Sequence, residues 1–147
     1  MNIFEALRED HQTQRSLADI LIKTSGDSDG RAEIFAKLKA ELSAHAAAEE
    51  RHFYVPLMRD DMTQEKARHS VAEHHELDEY IEELESTDPS SPAWLATAKK
   101  LHHRLNHHLD EEEQEVFQLA GRVLKDGQKT ALADAYVEDM EEQKAAA

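Results

Sequence analysis

A chain of 147 residues with 39 % apolar and 33 % charged side chains is the size of one domain able to bury a core, and its 4 glycines and 3 prolines favour long helices over sheet. A formal charge of −15 excludes the cationic surface that nucleic acid or anionic lipid requires, and no apolar run reaches the ~18–20 residues of a membrane span. The absence of cysteine removes disulfides, thiolate catalysis and cysteine-held metals, so a metal here would be bound by nitrogen and oxygen alone.

Apolar residues recur at helical spacing along the whole chain. Residues 3–23 place Phe4, Leu7, His11, Leu17, Ile20 and Leu21 on one face, and TSGDSDG (24–30) reads as a turn in which Ser28 or Asp29 caps the next helix. Residues 31–59 carry Ile34, Leu38, Leu42, His45, Glu49, Phe53 and Pro56 at a 3–4 spacing, with Pro56 expected to kink or end the helix. A third helix, about 64–85, aligns Val71, His74, Leu77, Ile81 and Leu84. STDPSSP (86–92) is a linker, with Ser91 as N-cap and Pro92 in the first helical turn. A long helix follows at about 93–125, with Trp94 in the core, and is broken by KDG (125–127). A short amphipathic helix, about 128–143, is expected to turn Leu132, Tyr136, Val137 and Met140 inward. Four long helices with short turns pack most economically as an all-α, up-down-up-down four-helix bundle. The reading is one domain over 1–147, with the bundle at about 2–125 and the short helix lying across or along it. The start MNIFEALREDH lacks the basic and apolar regions of a secretory signal, so the expected location is the cytoplasm.

Histidine is the unusual count: 10 in the chain, seven of them within 69–75, 102–103 and 107–108. A weak internal repeat organises them. The first and third helices carry Asp10-His11 and Glu73-His74. The second and fourth carry His45-x-x-x-Glu49-Glu50 and His108-x-x-x-Glu112-Glu113, each followed by aromatics (Tyr54, Phe117). Residues four apart on a helix share a face, and both His–Glu pairs fall on the apolar stripe of their helix. A carboxylate on a core stripe costs several kcal/mol unless it is paired or coordinated. Two such carboxylates with inward His11 and His74 therefore point to bound metal, whereas any one of these residues alone reads as structural. Imidazole plus carboxylate suits iron, manganese or zinc and disfavours calcium. Four nitrogens and two carboxylates able to bridge suit a metal pair better than one tetrahedral zinc, with iron preferred.

The segments DH (10–11), HAAAEERHFY (45–54), EHHELDEYIEEL (73–84) and HHLDEEEQEVF (107–117) together resemble the hemerythrin-like (HHE cation-binding) family over roughly residues 1–125. The resemblance implies two iron ions held by His11, His45, Glu49, His74, His108 and Glu112, with Glu49 and Glu112 bridging. It also implies small ligands such as O2, nitric oxide or peroxide. Three functional classes stay open: a gas-binding or redox- and iron-sensing protein, a peroxide- or nitric-oxide-degrading enzyme, and a bundle whose metals are structural. His74 is preferred to His75 because Leu77, Ile81 and Leu84 follow it on one face. His108 with Glu112 is preferred to His107 with Glu111 because Leu101 and Leu105 precede His108 as Leu38 and Leu42 precede His45. Oxygen-carrying hemerythrins have a further third-helix histidine. The corresponding positions here are Ser70 and Asp78, which leaves one iron nitrogen-poor or completed by Asp78 or Glu73 and makes simple oxygen carriage doubtful. His52, His69, His102 and His103 are read as surface or supporting residues, His103 foremost, and Tyr54, Tyr80 and Tyr136 as packing residues. Glu50, Glu111 and Glu113 are read as rim residues.

Overall fold

A computed structural model describes residues 1–146, and they are helical almost throughout. Helix α1 (Ile3–Leu21) starts at a capping box in which the Asn2 side chain accepts from the Glu5 N–H and Glu5 accepts from the Asn2 N–H. Its buried face runs Leu7, His11, Gln14, Ala18, Leu21. Ile20 lies more than a quarter turn off that line and is 47 % exposed, against its expected inward place.

Helix α2 (Asp29–Glu49) begins where the Ser28 side chain accepts from the Arg31 N–H, so Ser28 is the cap and the helix starts two residues before the expected 31. It passes directly into a π-helical segment, π1 (Glu50–Tyr54), and a last turn, α3 (Val55–Met58), in which Pro56 occupies the first turn. Helix α4 (Gln64–Glu85) has the expected bounds. Ser91 caps α5 (Pro92–Glu111) by accepting from the Trp94 N–H, and Trp94 is buried as expected. A second π segment, π2 (Glu112–Val116), joins α5 to α6 (Phe117–Val123). The chain is extended at Leu124 and forms α7 (Asp126–Ala146), longer than the expected 128–143. Tyr136 and Met140 face inward there as expected and Leu132 packs partly buried against the core, while Ala133 and Asp139 are also buried and Val137 is exposed.

The rods α1, α2–π1–α3, α4 and α5–π2–α6 pack side by side as the four-helix bundle, and α7 lies along the groove between α1 and α2. The apolar core is in two parts. One gathers Ile3, Leu7, Phe53, Leu57 and Phe117 under Tyr136 and Met140 of α7, and the other gathers Leu38, Leu84, Trp94, Leu101 and Leu105. Between them lies a belt of buried polar side chains from all four rods. Among the described residues no helix is long and apolar enough to cross a membrane.

Candidate metal centre

His11, His45, Glu49, His74, His108 and Glu112 meet in that belt, each at least nine-tenths buried. They form two overlapping groups: His11, His45, Glu49 and Glu112, and His74, His108, Glu49 and Glu112. Within each group one ligand atom per residue lies within 4.8 Å of the others, and the two carboxylates are common to both. His11 Nε2 is 3.1 Å from Glu112 Oε1, His74 Nε2 is 3.1 Å from Glu49 Oε1, and His45 Nε2 is 3.3 Å from the same oxygen. His108 Nε2 stands 3.7 Å from Glu112 Oε2. His75 and His107 are exposed, which places His74 and His108 inside, as the leucine spacing indicates.

Every inner histidine is held from behind through its Nδ1. His11 meets Glu113 Oε2 at 2.6 Å, His74 meets Glu50 Oε2 at 2.7 Å, and His108 meets Glu73 Oε1 at 2.9 Å. The His45 Nδ1 donates to the Tyr136 hydroxyl at 2.6 Å, and that hydroxyl donates to Asp10 Oδ2. With the ring proton on Nδ1, each Nε2 presents a lone pair to carboxylate lone pairs. All four Nε2 atoms, both Glu49 oxygens and Glu112 Oε1 are buried without a hydrogen-bond partner among the described residues. Acceptors converging on acceptors in a dry interior require a cation between them. The donor set therefore fits a carboxylate-sharing metal pair, with the outer carboxylates fixing ring orientation as they do around metal-bound histidines.

Without metal, protons substitute in part. Burial depresses His74, but the adjacent Glu49 and Glu50 carboxylates outweigh it and lift the ring to about 9. Burial of Glu112, reinforced by the Glu49 charge, pushes its carboxyl well above the usual range. Burial would raise Glu49 too, yet His45 and His74 hold it well below. His11 is pulled down to about 4 by burial, only partly offset by Glu113.

Several neighbours differ from their sequence reading. Tyr54 and Tyr136 do more than pack: the Tyr54 hydroxyl donates to Glu112 Oε2, and Tyr136 joins His45 to Asp10. Glu50 and Glu113 are partly exposed, as rim residues are, but each anchors a histidine of another rod. Glu73 engages His108 from outside and Asp78 is exposed, so neither enters the two groups. His103 is exposed, His52 pairs with the buried Asp139 of α7, and His102 pairs with the exposed Asp19. The signal for the outer partners was in the repeat. Asp10 and Glu73 precede matching histidines, and Glu50 and Glu113 follow matching glutamates. Glu73 reaches His108 directly, while the shorter Asp10 reaches His45 only through Tyr136.

Comparison with known proteins agrees with this geometry. The family model described as Hemerythrin HHE cation binding domain matches residues 2–120. A protein from Nostoc sp. (strain PCC 7120) named a DNA nickase is 28 % identical over 117 residues, 80 % of this chain. The match covers 33 % of that relative, so the chain spans about a third of its length. The crystal structure of a hemerythrin HHE cation binding domain-containing protein from Mycobacterium kansasii has the same fold, with a TM-score of 0.89 at 23 % identity over 99 % of this chain and 89 % of that one. With a family model spanning all four bundle rods and a buried His/Glu cluster at their centre, the chain belongs to the hemerythrin HHE cation-binding family.

Proposed function

We propose that the chain is a di-iron protein that binds O2, nitric oxide or peroxide, or reports iron or redox state, in the cytoplasm. His11 and His45 would hold one ion and His74 and His108 the other, with Glu49 and Glu112, the carboxylates common to both groups, in reach of each. The supporting observation is the set of seven buried ligand atoms, four nitrogens and three oxygens, that have no hydrogen-bond partner among the described residues. A bound iron pair supplies the electron exchange that dioxygen, nitric oxide and peroxide chemistry needs. The chain's own residues orient the rings, keep bulk water out and hold protons at Tyr54 and Tyr136. Nicking of DNA, named for the longer Nostoc relative, is not carried over, because a net charge of −15 repels the phosphate backbone.

Metal analysis of untagged protein with an optical spectrum before and after air exposure tests this. About two irons per chain with near-ultraviolet charge-transfer bands are expected. Zinc or manganese that iron does not replace would favour a structural bundle, and a metal-free protein that resists loading would overturn the reading.

A second reading, an enzyme that decomposes peroxide or reduces nitric oxide, has one observation in its favour. A small cavity with room for about one water-sized molecule adjoins His45, His74 and His108 and is lined by Gln14, whose buried Nε2 has no partner. Such a donor can hold a small bound molecule. Turnover of peroxide or nitric oxide by the iron-loaded protein that is lost in Glu49→Ala and slowed in Gln14→Leu would establish this reading, and no turnover of either would exclude it.

A further inference from the structure

Outside the centre, α4 and α5 carry a second pair of His-x-x-x-Glu steps, His69 with Glu73 and His107 with Glu111. The two helices pack against each other, and the steps meet across their seam. His69 Nε2 is 3.7 Å from Glu73 Oε1 on its own helix and 3.4 Å from Glu111 Oε1 on the other. His107 Nε2 is 3.2 Å from the second oxygen of Glu111. His69, Glu73 and Glu111 each offer a ligand atom within 4.8 Å of the other two. The histidine side chains are 57 % and 55 % exposed, whereas Glu111 is 21 % and Glu73 only 7 % exposed. The carboxylates thus form a floor and the imidazoles an open rim.

A single His–Glu pair four apart on a helix is ordinary surface chemistry. Two pairs on facing helices, with one carboxylate in reach of both imidazoles, form a preshaped chelate open to solvent. We propose that His69, Glu73 and Glu111, with His107 on the outer oxygen of Glu111, are a peripheral binding site for one divalent first-row transition ion such as zinc or iron(II). The nitrogen ligands select such ions over calcium and magnesium, which prefer oxygen alone. The acidic surface raises the local cation concentration. Glu73 also accepts from His108 Nδ1 at 2.9 Å, so the peripheral ion and the buried centre share one carboxylate as neighbour.

Zinc is the probe. The full chain, carrying whatever metal fills its centre, is equilibrated by dialysis against zinc, and zinc and resident metal are counted by mass spectrometry. The parent is expected to hold one zinc per chain more than either His69→Ala on α4 or Glu111→Gln on α5, with resident metal unchanged in all three. Affinity in each variant should fall by about tenfold or more, since even loss of a group that only orients a ligand costs ~10–100-fold. Circular dichroism confirms that these partly exposed substitutions leave the helices intact. Equal zinc counts in the parent and both variants, or loss in only one variant, would overturn a site built across the two helices. Neither result bears on the buried centre, whose ligands are untouched.

Discussion

Each inner histidine owes its orientation to one outer partner, and three of the four partners are carboxylates that reach Nδ1 directly. His45 alone relies on a tyrosine, because Asp10 is one methylene shorter than the Glu73 that serves His108. Tyr136→Phe is therefore expected to weaken metal retention against a chelator by ~10–100-fold. Adding Asp10→Glu to that variant should recover most of the loss by letting the longer carboxylate approach His45 itself. Unchanged retention in Tyr136→Phe would reduce the hydroxyl to a packing group. Glu112→Leu has the opposite character. It removes a fully buried carboxyl that burial and the Glu49 charge push toward its neutral form in the metal-free protein. Metal binding should be abolished, yet thermal unfolding of the metal-free variant should stay close to that of the parent, because no buried charge loses its partner. A large drop in apo stability would instead mean that Glu112 is needed by the bundle itself.

The two π segments start immediately after Glu49 and at Glu112, so each interrupts an α-helix at a shared carboxylate. Pro56 does not explain them, since π2 contains no proline. The widened turn lets residues four and five positions beyond the glutamate both face inward: Phe53 and Tyr54 in one rod, Val116 and Phe117 in the other. Tyr54 reaches Glu112 from the position so created. Such insertions in α-helices recur at functional sites. Deleting exposed Gln114 should restore α register through π2, keep the helix content and move Tm little, but displace Glu112 and weaken metal binding. Metal counts and circular dichroism check this, and full metal retention would show that π2 is incidental to the site. Element existence was legible because the 3–4 apolar spacing, Ser91-Pro92 and the 24–30 turn are local signals. The four inward histidines and both inward glutamates were legible too, because a polar residue on an apolar stripe stands out. The π segments were not, since the adjacent apolar residues after each glutamate, Phe53-Tyr54 and Val116-Phe117, read as ordinary core unless a register shift is assumed. The reach of Tyr136 was hidden for another reason: nothing local fixes which groove a fifth helix takes.

At the scale of the whole molecule, two apolar clusters clamp a polar belt in which seven atoms of the six inner side chains have no hydrogen-bond partner among the described residues. Binding metal to the folded state alone adds RT ln(1 + [L]/Kd), about 2.7 kcal/mol at a hundredfold excess over Kd, so chelation should lower Tm and reloading restore it. The proton balance follows from the same belt. Near pH 7 the metal-free protein keeps a proton on His74, lifted to about 9, and on Glu112, raised well above the carboxylate range. Both must be deprotonated to bind metal, so loading expels protons and affinity falls as the pH is lowered. The sign is fixed by the direction of the two shifts: ligands with raised values hold their protons more tightly as acidity rises, which favours the empty site. Calorimetric titration with metal in buffers of different ionisation enthalpy should therefore give apparent enthalpies that differ in proportion to the buffer's own protonation heat. Identical enthalpies in all buffers would mean that no protons leave. The carboxyl and imidazole would then already be free in the empty bundle, and the stability of that bundle would need a source of positive charge other than bound protons.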